Sequence, residues 1–211
     1  MASPASAERS ALVAALQAVA PTAPTLCDGW TALDLAAHVV ARERRPDSLP
    51  GLVVPALAGW TDRVRSGYAR RPYPELIDLV AGGPPRTSLF ALPGAEAAAN
   101  LVEFAVHTED VRRGAPGWQP RALDEAQVEA VWSALGRTAR LAFRRSPVPV
   151  ALVRPDGRRI EVRRGEGDPV TLTGDPLELL LYASGRREAA RVTLEGPDDA
   201  VARLRDLHLG L

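Results

Sequence analysis

Residues Ala95–Arg113, AEAAANLVEFAVHTEDVRR, carry the reading of this chain. The run lacks proline and glycine and is followed by Gly114, an expected C-terminal cap, so it predicts a helix. Glu96, Asn100, Glu103, His107 and Asp110 recur three or four apart and form one polar stripe on it. Working outward, Thr31-x-x-Asp34 predicts a capping box, with Asp in place of the usual Glu or Gln. The helix it opens runs through Leu33, Ala36, Ala37, Val40 and Ala41 to just before Pro46. It carries its own polar stripe of Asp34, His38 and Arg42. Such stripes are either solvated faces or rows of functional groups, and spacing alone leaves both open.

The remaining periodicity sorts by position. A first helix is expected over Pro4–Val19, with Leu12, Leu16 and Val19 at helical spacing. Shorter helical pieces fall near Pro55–Tyr68 and Pro74–Val80, inside a Pro- and Gly-rich middle. Another helix spans about Asp124–Phe143, with Val128, Val131, Trp132, Leu135 and Ala139 on one face and Gly136 within it. Four substantial helices with longer connections predict a four-helix bundle over residues 1–145.

From residue 146 the period shortens. Pro149–Arg154 and Arg158–Arg163 flank Asp156-Gly157, a hairpin-turn signal. Val170–Thr173 and Ala190–Glu195 are two further strands, with a helix from Asp175-Pro176 to Ser184 between them and another over Pro197–Asp206. The fold class is therefore α+β, a helical bundle followed by a small α+β domain over residues 146–211.

Composition narrows the function. The 211 residues carry 26 basic and 26 acidic side chains, so no basic excess points to nucleic acid or a membrane surface. Every basic residue is arginine, which reads as codon bias. One cysteine, Cys27, excludes an intramolecular disulfide and a Cys-based zinc cluster within one chain. Ala11–Ala20 resembles a secretory leader superficially, but Glu8 and Gln17 break that pattern, so a cytoplasmic protein is expected. No run approaches the ~18 apolar residues that cross a bilayer.

Glu103 and His107 stand four residues apart and leave the helix on the same face about one turn apart. A carboxylate oxygen and an imidazole nitrogen so placed suit one metal ion at ~2.0–2.2 Å. His38 is a candidate third ligand from a neighbouring helix. Asp110 either orients a ligand or pairs with Arg112 or Arg113. Trp30 is expected to pack as a hydrophobic staple at the start of its helix. Cys27 reads as a small buried apolar residue, since no His or Lys lies near it in sequence, and His208 as exposed or packing. Glycine-rich phosphate loops, His-Glu-x-x-His and Gly-x-Ser-x-Gly elbows are absent.

Two blocks in combination resemble a known family. Cys27-Asp28-Gly29-Trp30-Thr31 with Asp34-Leu35-Ala36-Ala37-His38-Val39-Val40 looks like the opening motif of actinobacterial mycothiol-dependent maleylpyruvate isomerase-like proteins, within the DinB-like metal-binding superfamily. Asn100–Arg113 resembles their second metal motif, and Leu179-Leu180-Leu181-Tyr182-Ala183-Ser184-Gly185-Arg186 their C-terminal domain. The chain is shorter than the isomerase and looks closer to a smaller branch of metal-binding proteins without an assigned reaction.

The resemblance implies a bundle holding a divalent metal, zinc in the isomerase, through His38, Glu103 and His107. It also implies an arginine of the C-terminal domain, here Arg186, that helps bind substrate. The expected partners are a small thiol, mycothiol, and an electrophilic small molecule, with no nucleic acid and no membrane. Two imidazoles and a carboxylate leave a divalent ion near net charge +1 with an open position, where a thiol ionises readily. The thiolate would add to a cis double bond, allow rotation and leave, giving a transferase or isomerase. Water there would support hydrolysis, and the same ligands suit non-haem iron. The rival expectations are a non-catalytic metal-binding or ligand-sensing protein and a metal-free interaction scaffold.

Overall fold

Ser3 accepts a hydrogen bond from the Ser6 amide at 3.2 Å and opens helix α1, Pro4–Gln17. The computed structural model describes residues 3–48, 54–85 and 97–209. Within them the chain forms eight α-helices and four strands, grouped in two units, Met1–Pro120 and Arg121–Leu211.

The first unit is helical. After α1 come α2 (Ala32–Arg44), α3 (Ala58–Tyr68), α4 (Tyr73–Gly82) and α5 (Ala97–Arg112). The box at α2 forms as expected. The Asp34 amide donates to Thr31 Oγ1 at 3.3 Å, and Asp34 Oδ2 accepts from the Thr31 amide at 3.1 Å. Asp reaches back because the Thr31 hydroxyl also donates to it, at 2.7 Å, and Arg65 on α3 clamps its other oxygen at 2.7 Å. α1 packs against α4 and α5, while α2 packs against α3 and α4. Leu12, Leu16, Leu35, Val39, Leu76, Val80, Phe104 and Val111 belong to the core between them. Arg9 of α1 is paired with buried Glu43 of α2 and donates to the Val80 carbonyl of α4 at 2.8 Å, pinning three helices together. The expected C-terminal extension of α1 to Val19 does not form.

Gly114 does a different job from the one its position suggests. It is not among the glycines with positive φ, so it is no left-handed cap. A Cβ there would lie 2.0 Å from the Pro24 carbonyl oxygen and 2.7 Å from Thr25 Cα. Glycine is required because the loop before α2 crosses directly over the end of α5. The Leu26 amide fastens that loop to the Asp110 carbonyl at 3.0 Å.

The second unit begins with α6, Glu125–Ala142, opened by an Asp124/Gln127 capping box. The division between the units falls after Pro120, so α6 lies in the second unit. Its buried face, with Val131, Leu135 and Ala139, serves packing on α7 (Pro176–Ala183) and β2 (Arg159–Arg163). The architecture is a mixed α+β arrangement.

The sheet runs β2-β1-β3-β4, with β1 Val150–Val153, β3 Val170–Thr173 and β4 Thr193–Glu195. β1 and β2 form the expected hairpin, turning at Gly157 with φ 86°. β3 lies parallel to β1, and β4 antiparallel to β3. β4 is shorter than expected because the Arg191 amide donates to the buried Glu178 carboxylate at 2.8 Å, off the ladder. α8 (Asp198–Arg205) packs on β3. α7 is buried along its whole length, so its PLELLLYA sequence needs no polar face. Among the described residues no helix is long and apolar enough to cross a membrane.

Two glycines separate crowding from helix propensity. A Cβ at Gly136 meets Ile160 at 3.6 Å, ordinary contact, so Gly136→Ala should stabilise by about 1 kcal/mol. Gly114→Ala forces backbone apart and should cost about 3 kcal/mol or more. Denaturant unfolding of both variants checks this; a Gly114→Ala as stable as wild type contradicts the close crossing.

Candidate metal centre

Three side chains from two helices converge in the first unit. His38 leaves the middle of α2, and Glu103 and His107 leave α5 one turn apart. His38 Nε2 lies 3.1 Å from Glu103 Oε1, and His107 Nε2 lies 3.2 Å from that same oxygen. The two imidazole rings meet edge to face with centroids 5.3 Å apart. The three ligand atoms all lie within 4.8 Å of one another.

The surroundings decide the question that spacing left open. Asn100, His107 and Asp110 are buried, and the His38 side chain is only 12% exposed. This is not a solvated face. Glu96, the first member of that stripe, lies outside the described residues.

His107 and Glu103 each have a polar neighbour behind the atom that faces the centre. His107 Nδ1 is 2.8 Å from Asp110 Oδ2, so Asp110 orients the ring. Arg112 and Arg113 pair with buried Glu109, at 2.9 Å and 2.6 Å. Glu103 divides its oxygens: Oε1 faces both imidazoles, while Oε2 faces Arg42 Nε at 3.7 Å. Arg42, one turn beyond His38, also donates to Asn100 Oδ1 at 2.7 Å. Trp30 lies against the first-unit core, and its ring is tilted toward His38, 5.0 Å between centroids, with Arg65 stacked 5.0 Å from the indole. The packing residue thus also walls the site.

The charges follow from this geometry. Burial disfavours the Glu103 carboxylate, but the His107 charge and hydrogen bonds from His107 and His38 hold its pKa well below the ordinary 4.5. Burial also disfavours the His107 cation. The Glu103 charge outweighs it, aided by hydrogen bonds to Asp110, Cys27 and Glu103, and keeps its pKa well above the ordinary 6.5. Where Glu103 Oε1 and Asp110 Oδ2 both accept from the ring, His107 carries a proton on each nitrogen.

The donor set fits a divalent ion. A tetrahedral site with bonds of ~2.05 Å has ligand–ligand edges of roughly 3.3 Å. The observed 3.1 Å and 3.2 Å edges need only small adjustment. A metal here would replace the Nε2 proton of His107 while Nδ1 keeps its proton and donates it to Asp110, the usual way a ligand histidine is fixed.

Other residues read from the sequence fall elsewhere. Arg186 follows α7 in the second unit, is half-buried, and donates to the Ser184 carbonyl at 2.6 Å. His208 is exposed. Cys27 departs from its reading as a small buried apolar residue: it is half-buried and its thiol meets polar groups. Its Sγ lies 3.2 Å from Asp110 Oδ2 and 4.0 Å from His107 Nδ1. Eighty residues separate Cys27 from that histidine, so no local pattern exposes the contact.

No protein-family profile matches the chain, and no curated protein matches it in sequence. Solved structures do. The mycothiol-dependent maleylpyruvate isomerase superposes with TM-score 0.63 at 18% identity, covering 92% of each chain. The chain has that enzyme's fold. A histidine-to-alanine variant of the isomerase superposes with TM-score 0.62 at 17% identity, again over 92% of both chains. The likeness that two short motifs carried in the sequence therefore extends over nearly the whole length.

The Glu103–His107 pair gives the metal-free protein a defined pH response. Glu103, depressed, contributes stability above about pH 4.5 that is lost as pH falls through its lowered pKa. His107, raised, contributes stability below about pH 6.5 that is lost as pH rises through its elevated pKa. Both act together between those values. Glu103→Gln should therefore lower the melting temperature most inside that window. Wild-type and variant melting profiles that run parallel across pH would contradict the pairing.

Proposed function

We propose that the protein holds one divalent metal ion, zinc as the family resemblance implies, through His38 Nε2, Glu103 Oε1 and His107 Nε2. We infer further that it uses a small thiol, mycothiol, to transfer or isomerise an electrophilic small molecule. The observation that carries the metal reading is the meeting of two imidazole nitrogens on a single carboxylate oxygen, from helices far apart in sequence. The thiol reading rests on the fold shared with a mycothiol-dependent enzyme. In this reading the first unit is the metal-holding helical bundle and the second the smaller α+β domain.

A bound divalent ion supplies positive charge and an open position at which a thiol gives up its proton. The chain's own groups prepare that position. Asp110 holds the His107 Nδ1 proton and so presents Nε2 as a lone pair. Arg42, drawn to Oε2, leaves Oε1 of Glu103 as the single donor oxygen. Trp30 covers the His38 ring on one side. For an isomerisation, the thiolate sulfur forms a C–S bond at one carbon of a cis double bond conjugated to a carbonyl and the π pair moves onto that carbonyl oxygen as an enolate; rotation occurs about the resulting single bond, and the C–S bond breaks as the pair returns. The double bond returns in the trans form and the thiol is released unchanged. Arg186 is the proposed substrate-binding cation, suited to a carboxylate by its planar fork.

Elemental analysis tests the centre. Wild-type protein should carry about one zinc per chain, and His38→Ala, Glu103→Ala and His107→Ala should fall to background. Equal metal content in all four would overturn the metal reading. At pH 7 uptake should release about one proton per ion, from His107, visible as a buffer-dependent heat in calorimetry. Mycothiol binding to the zinc-loaded protein, followed by turnover of a cis-unsaturated acid, favours the enzyme. Tight metal binding with no thiol affinity favours a non-catalytic metal-binding or ligand-sensing protein.

A further inference from the structure

The loop before α2 places its one thiol with unusual care. The Cys27 amide donates to Thr25 Oγ1 at 3.2 Å, and the Thr25 hydroxyl in turn donates to the Trp30 carbonyl at 2.9 Å. The Trp30 amide closes the loop on the Cys27 carbonyl at 2.9 Å. The Leu26 amide, next in the chain to Cys27, is fastened to the Asp110 carbonyl. The crossing at Gly114 brings the whole loop onto the end of α5. These contacts deliver Cys27 Sγ to Asp110 Oδ2, the oxygen that also receives His107 Nδ1.

A buried carboxylate with two donors on one oxygen is turned to a single orientation by them. The thiol donates from the loop side and the imidazole from within α5. Loss of the S–H donor leaves the carboxyl group freer to rotate, and the ring it steers becomes less well aimed. Outer partners of ligand histidines commonly change metal affinity ~10–100-fold when removed.

We propose that Cys27 is a positioning residue of the metal centre: its thiol, acting through Asp110, fixes the direction of His107 Nε2. This rests on the metal reading above, and the geometry gives the thiol a role outside the coordination sphere. The relay runs Cys27 S–H to Asp110 Oδ2, and His107 Nδ1–H to that same oxygen, leaving Nε2 toward Glu103 and His38.

Cobalt(II) binding to the full-length protein, followed by its visible absorption, tests the relay with two substitutions that separate donor from volume. Cys27→Ser keeps an O–H donor but loses bulk, whereas Cys27→Val keeps bulk but donates nothing. The expected result is a serine variant within about twofold of wild-type affinity and a valine variant weaker by about tenfold, with altered cobalt d–d bands. Cys27→Ala serves as a second donor-free variant where valine is not accommodated. A downfield His107 Nδ1 proton resonance in the metal-free protein should persist in the serine variant and shift in the donor-free ones, which a packing role alone would not produce.

A donor-free variant indistinguishable from wild type overturns the proposal. So does a serine variant as weak as valine, which would assign the effect to packing. A sulfur-to-cobalt charge-transfer band in wild type that serine abolishes also overturns it, since the thiol would then be a ligand. Wild-type protein that takes up no cobalt refutes the metal reading itself, and that result is distinct from the other three.

Discussion

Glu103 Oε1 between the imidazoles of His38 and His107 is the contact on which the site depends. Glu103 and His107, withdrawn from water, would each prefer to be neutral. They remain charged because the attraction across about 3 Å at reduced dielectric exceeds the cost of burial. The arrangement is therefore a coupled set in which the His107 proton stands where a metal ion would supply the positive charge. Removing Glu103 leaves two imidazoles facing one another with nothing between them. Removing either imidazole leaves Glu103 Oε1 facing only the other.

The rest of the first unit can be understood as what holds α2 and α5 in the register this contact demands. Asp34 caps α2 and is gripped by Arg65, so the helix carrying His38 has a defined start. Arg42 and Asn100 link the two helices one turn to one side of the ligands. Asp110 and Cys27 form the link on the other side. That second link exists only because Gly114 lets the loop cross α5 without a Cβ in the way. Hydrogen-bonded layers on both sides of a polar centre restrict its side chains far more than apolar packing would.

Some of this was legible beforehand because it is local. Helix periodicity, the Thr31–Asp34 box, the Asp156-Gly157 hairpin and the four-residue spacing of Glu103 and His107 are all set within a few residues. What local pattern leaves open is decided by distant parts of the chain. α6 carries an ordinary amphipathic pattern, and nothing in that pattern says which unit its apolar face will cover. Gly114 follows a helix, as a capping glycine does, yet its reason is a carbonyl from ninety residues earlier. β4 loses its first residues to a carboxylate on α7.

Residue order alone specified the elements, the turn chemistry, the balanced charge and the two histidine-bearing blocks, because each depends on backbone preferences or side chains within one or two turns. Tertiary structure decided that those blocks face one another, that the polar stripe of α5 is buried, and that Cys27 reaches Asp110. Such facts depend on which surfaces pack together. A hydrophobic period reports that a face is covered, but not what covers it.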